Sequence, residues 1–194
     1  MSLIDKTKEY KNNKYKENKD LMHELANGQS PHSLFITCSD SRISVNELTN
    51  SKPGEVFVIR NAGNVIADYN ENAPTNESLT VEYAVVALGV KEIVVCGHTS
   101  CGAMGAIKDF DGLTGLPLVK AGLEPIYKDY KLKKATELST DELIAFNVKE
   151  QLLKLYSYPY IKEKFNSGEL AINGWVYDFA NGEISKEMTL KEFL

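Results

Sequence analysis

The sequence predicts an α/β domain: a mainly parallel central sheet of about four to five strands, covered by helices and preceded by an N-terminal helical arm. Three observations carry this expectation. Short runs of apolar, strand-forming residues recur along the chain, segments with helical periodicity separate them, and the early runs are apolar almost throughout rather than alternating. Strands covered on both faces read in that way, and parallel neighbours need crossover connections, usually helical. A length of 194 residues suits one domain with a substantial core. The expected organisation is a single domain over residues 1–194, with an arm at 1–27 and a catalytic α/β core at 28–194.

Residues from about Asp5 to Ala26 read as one helix ended by Asn27-Gly28. Ser33 to Thr37 (SLFIT) is a buried strand, and Ser44 with Glu47 forms a capping box for a short helix. Lys52-Pro53-Gly54-Glu55 is a turn into a second strand, Val56 to Arg60. The polar stretch from Asn61 to Asn76 is irregular. Glu77 to Leu88 reads as a helix with Leu79, Tyr83, Val86 and Ala87 on a shared apolar face, ended by Gly89. Ile93 to Cys96 is a third strand, and a helix opens over 101–109. Ser139 and Glu142 cap a long helix carrying Ile144, Val148, Leu152 and Leu155 at helical spacing. Leu170 to Tyr177 is a fourth strand, and Asn181-Gly182 is a hairpin turn into a short last one.

Composition narrows the function. Hydrophobic residues make up 43% and charged residues 25%, with a net charge of −5, so no basic surface suggests nucleic acid. Lysines are interspersed with acidic residues in the N-terminal segment, and with Asp129 near residues 128–134, as on solvated helix faces. The first twenty residues are polar and mixed in charge, unlike a secretory signal or transit peptide, and no apolar run approaches a membrane span. The chain has three cysteines. That small, odd number argues against a disulfide framework and for reduced thiols in the cytoplasm, with metal binding or catalysis as their use.

In open α/β sheets ligands bind beyond the carboxyl ends of the strands, where strand order reverses. Cys38 directly follows the first strand, while His98 and Cys101 follow the third. Two thiolates and an imidazole suit zinc, and three protein ligands leave the fourth position free, as in catalytic sites.

A wider pattern sharpens the reading. Cys38-Ser39-Asp40-Ser41-Arg42, then Arg60-Asn61-Ala62-Gly63-Asn64, then Gly97-His98-Thr99-Ser100-Cys101-Gly102 occur in that order. This resembles the β-class carbonic anhydrases over roughly Gln29 to Trp175. The resemblance implies one zinc ion per chain on Cys38, His98 and Cys101, with Asp40 and Arg42 as a catalytic pair. It implies reversible hydration of carbon dioxide to bicarbonate and a proton, by attack of zinc-bound hydroxide. It also implies substrate-binding roles for Gln29, Phe57 and Tyr83, one aromatic coming from a partner subunit, and assembly as a homodimer or homotetramer through the arm. The bicarbonate-inhibited subgroup typically carries tryptophan three residues before the first ligand. Here that residue is Phe35, which with Gln29 points to the plant-like, non-inhibited subgroup. The sequence departs from the pattern at Ala62, where a bulkier branched residue is usual.

Simpler readings stand beside these. Cys38 alone would be a small core residue at a strand end, or a phosphatase-like nucleophile, for which Arg42 follows too closely. Cys96, inside an apolar strand, is a packed core thiol. His23 and His32 are surface residues, and Arg60 and Asn61 tie the second strand to the site loops. Two other functions use the same residues: carbonyl sulfide or carbon disulfide hydrolysis on the same scaffold, and a non-catalytic zinc-binding protein.

Overall fold

The computed structural model describes residues 2–194; the arm expected from residue 1 therefore begins one residue outside them. One five-stranded sheet, ordered β2-β1-β3-β4-β5, organises the chain. Its strands are β1 (Ser33–Cys38), β2 (Val56–Asn61), β3 (Glu92–His98), β4 (Ala171–Asp178) and β5 (Glu183–Thr189). The first four run parallel and β5 pairs antiparallel with β4; a four-residue loop, 179–182, joins them rather than a two-residue turn at Asn181-Gly182. The expected α/β class and mixed sheet are observed. β1 and β3 lie inside the sheet and are buried along almost their whole length, which explains their unbroken apolar sequence. β1 hands the chain to β2 on one side, and β3 takes the other. Strand order therefore reverses beside Cys38.

The N-terminal segment departs from the single expected helix. It forms α1 (Leu3–Asn12), α2 (Lys14–Glu17) and α3 (Lys19–Leu25), interrupted at Asn13 and Asn18. Asparagine favours local side-chain bonding over helix interiors, and none of the three helices contains a buried residue. Only the last of them packs on the core, with Leu21, Met22 and Leu25 half-buried and Leu25 against Gly54. α4 (Val45–Leu48) begins after Ser44, but the Ser44 side chain makes no capping bond, so the expected capping box is not formed.

The segment after the irregular stretch also differs. α5 (Asn76–Glu82) continues as a π-helical turn over Tyr83–Ala87. The extra residue in that turn rotates the face, and the core takes Val81, Ala84 and Val85. The expected apolar stripe points outward instead: Leu79, Tyr83 and Val86 are 52%, 49% and 55% exposed.

α6 (Gly102–Lys108) follows β3, and α7 (Pro117–Leu132) follows it. The solvated helix face expected near residues 128–134 marks only the end of α7; Gly122 and Pro125 interrupt the periodicity of the rest, and buried Leu123 and Tyr130 anchor it. α8 (Thr140–Tyr156) carries the capping box expected at Ser139 and Glu142, and α9 (Pro159–Asn166) leads to β4. Ile144, Val148, Leu152 and Leu155 of α8 are buried, each stabilising the fold by about 1.5–3 kcal/mol. α8 lies so close to the sheet that a Cβ at Gly97 or Gly174 would meet Val148 at 2.8 or 2.6 Å. These two glycines let the helix settle behind the carboxyl end of β3.

Candidate active site

Cys38 is the last residue of β1 and His98 the last of β3, and the two strands are parallel neighbours with Thr37 opposite Cys96. Parallel pairing alone therefore brings both side chains to one edge. Beyond His98 the chain turns through Ser100 in the left-handed region (φ 55°), so that Cys101 returns as the residue preceding α6. The ligand atoms of Cys38, His98 and Cys101 all lie within 4.8 Å of one another, and all three residues are buried.

The donors are arranged as a metal requires. His98 Nδ1 lies 2.9 Å from the Thr99 carbonyl oxygen, a bond only a protonated Nδ1 can donate, so the Nε2 lone pair is free. His98 is fully buried, and its Nε2 has no hydrogen-bond partner among the described residues. A buried nitrogen without a partner is costly; facing two sulfurs, it fits a soft, tetrahedral cation. Hydrogen bonding with the Cys101 thiol, opposed by burial and helped by the adjacent His98 imidazole and by the backbone at Gly63 and Asp40, holds the Cys38 thiol well below the ordinary range. The same contact, with burial, pushes Cys101 up.

Asp40 and Arg42 stand at the rim. Arg42 Nε donates to Asp40 Oδ1 at 2.9 Å and Arg42 Nη2 to Oδ2 at 2.8 Å, with the Arg42 backbone N–H adding a third bond at 3.0 Å. Asp40 Oδ2 lies 4.0 Å from His98 Nε2. Arg60 braces the loop from beneath, donating to the carbonyl oxygens of Cys38, Ile43 and Asp40. Asn61 closes the following loop through both the N–H and the carbonyl of Val65. Their expected structural roles are seen directly.

Hydrogen bonds from Arg42 hold the Asp40 carboxyl well below its ordinary 3.8. A carboxylate depressed in the folded state adds stability above the unfolded value and loses it as pH falls toward the folded one. The Tm difference between wild type and Asp40→Asn is therefore expected to hold constant from about pH 8 to about pH 5 and to shrink below about pH 4. Thermal melts across that range check it; an undiminished difference at about pH 3 would refute it.

The remaining site residues lie elsewhere. Gln29 is exposed and precedes the amino end of β1, where His32 N–H bonds the Glu55 carbonyl and Lys91 N–H bonds the His32 carbonyl. β1 is six residues long from Ser33 to Cys38, which puts its two ends roughly 17 Å apart at the usual rise. Phe57 pairs with Leu34 near the same end, and its ring lies 6.1 Å from that of outward-facing Tyr83. Within one chain these three residues do not assemble around the cysteines.

Sequence reasoning missed Phe179, which follows β4. Its ring lies 4.3 Å beneath the Arg42 guanidinium carbon and 5.0 Å from the His98 ring, bridging the dyad and the donor set. No motif signals it, because the hairpin between β4 and β5 brings it there. His23 and His32 are exposed and Cys96 is buried, as expected.

Comparison with known proteins agrees with this geometry. The carbonic anhydrase family model matches residues 33–184. A carbonic anhydrase of Pseudomonas aeruginosa is 41% identical over 187 residues, covering 94% of this chain and 84% of the relative. One from Synechococcus elongatus is 39% identical over 189 residues, covering 94% and 69%. The solved β-carbonic anhydrase CcaA superposes with a TM-score of 0.87 at 35% identity, covering 96% of this chain and 90% of that one. A tetrameric β-carbonic anhydrase from Sordaria macrospora gives 0.79 at 28% identity, covering 96% and 94%. Matched in sequence across its core and in fold nearly end to end, the chain belongs to the β-carbonic anhydrase family.

Proposed function

We propose that this enzyme hydrates carbon dioxide reversibly to bicarbonate and a proton, with one zinc ion per chain held by Cys38, His98 and Cys101. The observation that carries the reading is the unpartnered, buried Nε2 of His98 beside two sulfurs, with a locked carboxylate 4.0 Å away. Zinc, when bound, supplies a Lewis acid that acidifies water near neutral pH. The chain's own residues do the rest. Ionised Asp40 can only accept hydrogen bonds, so it accepts one from the attacking water or hydroxide and turns a lone pair toward carbon. Arg42 keeps Asp40 in that role through its two-pronged bond, and Phe179 backs the guanidinium. The Arg42 side chain is half exposed, leaving the dyad open to solvent for departure of the proton. Stopped-flow hydration with zinc quantified in the same sample tests this: fast turnover with one zinc per chain supports it, and full zinc without turnover refutes it.

Gln29, Phe57 and Tyr83 complete the substrate pocket across a subunit interface, in a homodimer or homotetramer. Gln29 stands at the far end of β1 from its own Cys38, so a second chain must bring it there. The outward stripe of Leu79, Tyr83 and Val86, continued by exposed Val58 on edge strand β2, supports this. So do exposed Leu3, Ile4 and Tyr10 of the N-terminal segment, which acts as an arm (1–27) reaching from the catalytic core (28–194) to the neighbour. Sedimentation at micromolar concentration is expected to show at least a dimer. Val86→Arg should shift the protein toward monomer and lower activity more than about tenfold while zinc is retained, since a charge buried in an interface costs several kcal/mol. A monomeric wild type with full activity would refute the shared pocket.

Phe35, three residues before Cys38, is buried edge-on against Trp175 at 5.7 Å. On that residue and Gln29 we assign the chain to the plant-like, non-inhibited subgroup. Three unpaired, buried cysteines suit a reducing cytoplasm. No helix among the described residues is long and apolar enough to cross a membrane.

A further inference from the structure

We infer that Asn147, Gln151 and Tyr130 form a buried clamp that positions the loop following Asn61, the strand partner of Cys38, and thereby set how firmly the metal is held. The inference rests on the metal-site reading above. The loop between Asn61 and Ile66 bends through two consecutive left-handed residues, Gly63 (φ 83°) and Asn64 (φ 49°). Such a bend needs outside support, since asparagine tolerates this conformation without preferring it. A Cβ at Gly63 would already touch the Ala103 Cβ at 3.0 Å, so the loop also has little room.

The support comes from α8. Asn147 Nδ2 donates to the Gly63 carbonyl oxygen at 3.0 Å, and Gln151 Oε1 accepts from the Ile66 N–H at 2.8 Å. Gly63 is thus held by its carbonyl, two residues after Asn61, which pairs with Cys38 across the sheet and whose carbonyl accepts the Ser39 N–H at 2.9 Å. A shift of the Gly63 carbonyl is passed through two residues to the backbone bonded beside Cys38.

Tyr130 of α7 sets the direction of the clamp. Its hydroxyl donates to Asn147 Oδ1 at 2.7 Å, and Gln151 Nε2 donates to the same oxygen at 3.0 Å and to the Tyr130 oxygen at 3.2 Å. With Oδ1 committed to two donors, the Asn147 amide can only turn its NH₂ toward Gly63. All three side chains are about 1% exposed. Burial keeps the Tyr130 phenol protonated, and so a donor, well above the ordinary range. Asn147 and Gln151 stand one turn apart among Ile144, Val148 and Leu152, where apolar residues would pack without any desolvation cost. Their amides are spent on the loop.

The test uses cobalt(II) and zinc with the full-length chain. Asn147→Leu should shift the thiolate-to-cobalt charge-transfer band and release zinc to a chelator roughly tenfold faster, as loss of an outer partner does at other metal sites. Tyr130→Phe should move both in the same direction by less. Leu170→Ala, a buried change beside the amino end of β4, lowers Tm without altering either readout. Where Asn147→Leu does not fold, Tyr130→Phe decides alone. Clamp variants matching wild type in both readouts, or Leu170→Ala changing them equally, would overturn the inference alone. A wild-type chain that takes up neither ion would overturn the metal-site reading, and the inference with it.

Discussion

Cys38→Ser is expected to fold, to lose zinc, and to lose carbon dioxide hydration by at least about a thousandfold, because acidification of water goes with the metal. Serine is close in shape to cysteine, and its hydroxyl can still bond the backbone at Gly63 and Asp40. The fold therefore has little reason to fail. The hydroxyl stays protonated near neutral pH, however, and is a far poorer ligand than a thiolate. Loss of affinity should exceed the 10- to 100-fold typical of removing an outer partner. Cys101→Ser should behave alike. Zinc analysis beside hydration rates decides the matter, and one zinc per chain with wild-type turnover would remove that cysteine from the ligand set.

Asp40→Asn separates binding from chemistry. The variant should keep its zinc, because no donor atom of the Cys38, His98 and Cys101 group is altered. Turnover should fall by about 10²–10³, within the range for loss of a positioned acid or base. The amide places an N–H donor where an acceptor is needed, and Arg42 loses one prong of its bond. Arg42 Nη2 still reaches the Ser100 carbonyl at 3.3 Å, so the loop stays in place. A wild-type rate in this variant would remove Asp40 from the mechanism.

The five residues of the inner site were legible in the sequence because their chemistry resides in residue type and short spacing. Cys38, Asp40 and Arg42 share one loop, and His98 and Cys101 share another. Apolar runs at strand length likewise announced the sheet. The sequence shows Leu79, Tyr83 and Val86 as one apolar face but not that it points outward, since periodicity reports that a face is apolar and not what covers it. The polar pair Asn147 and Gln151 sat in plain view on the capped helix, yet only its bonds to Gly63 and Ile66 give it a purpose.

By itself, then, the sequence determined the fold class through local pattern, and through the family resemblance of its motifs it pointed to Cys38, His98 and Cys101 as candidate metal ligands and to Asp40 and Arg42 as a pair. Tertiary structure alone decided three further matters. Strand direction put Gln29 and Cys38 at opposite ends of β1, the hairpin after β4 carried Phe179 beneath Arg42, and α8 brought two amides to the loop beside the sulfur. The physical reason is common to all three. Contacts between residues distant in the chain follow from strand order and helix packing, and no local spacing encodes them.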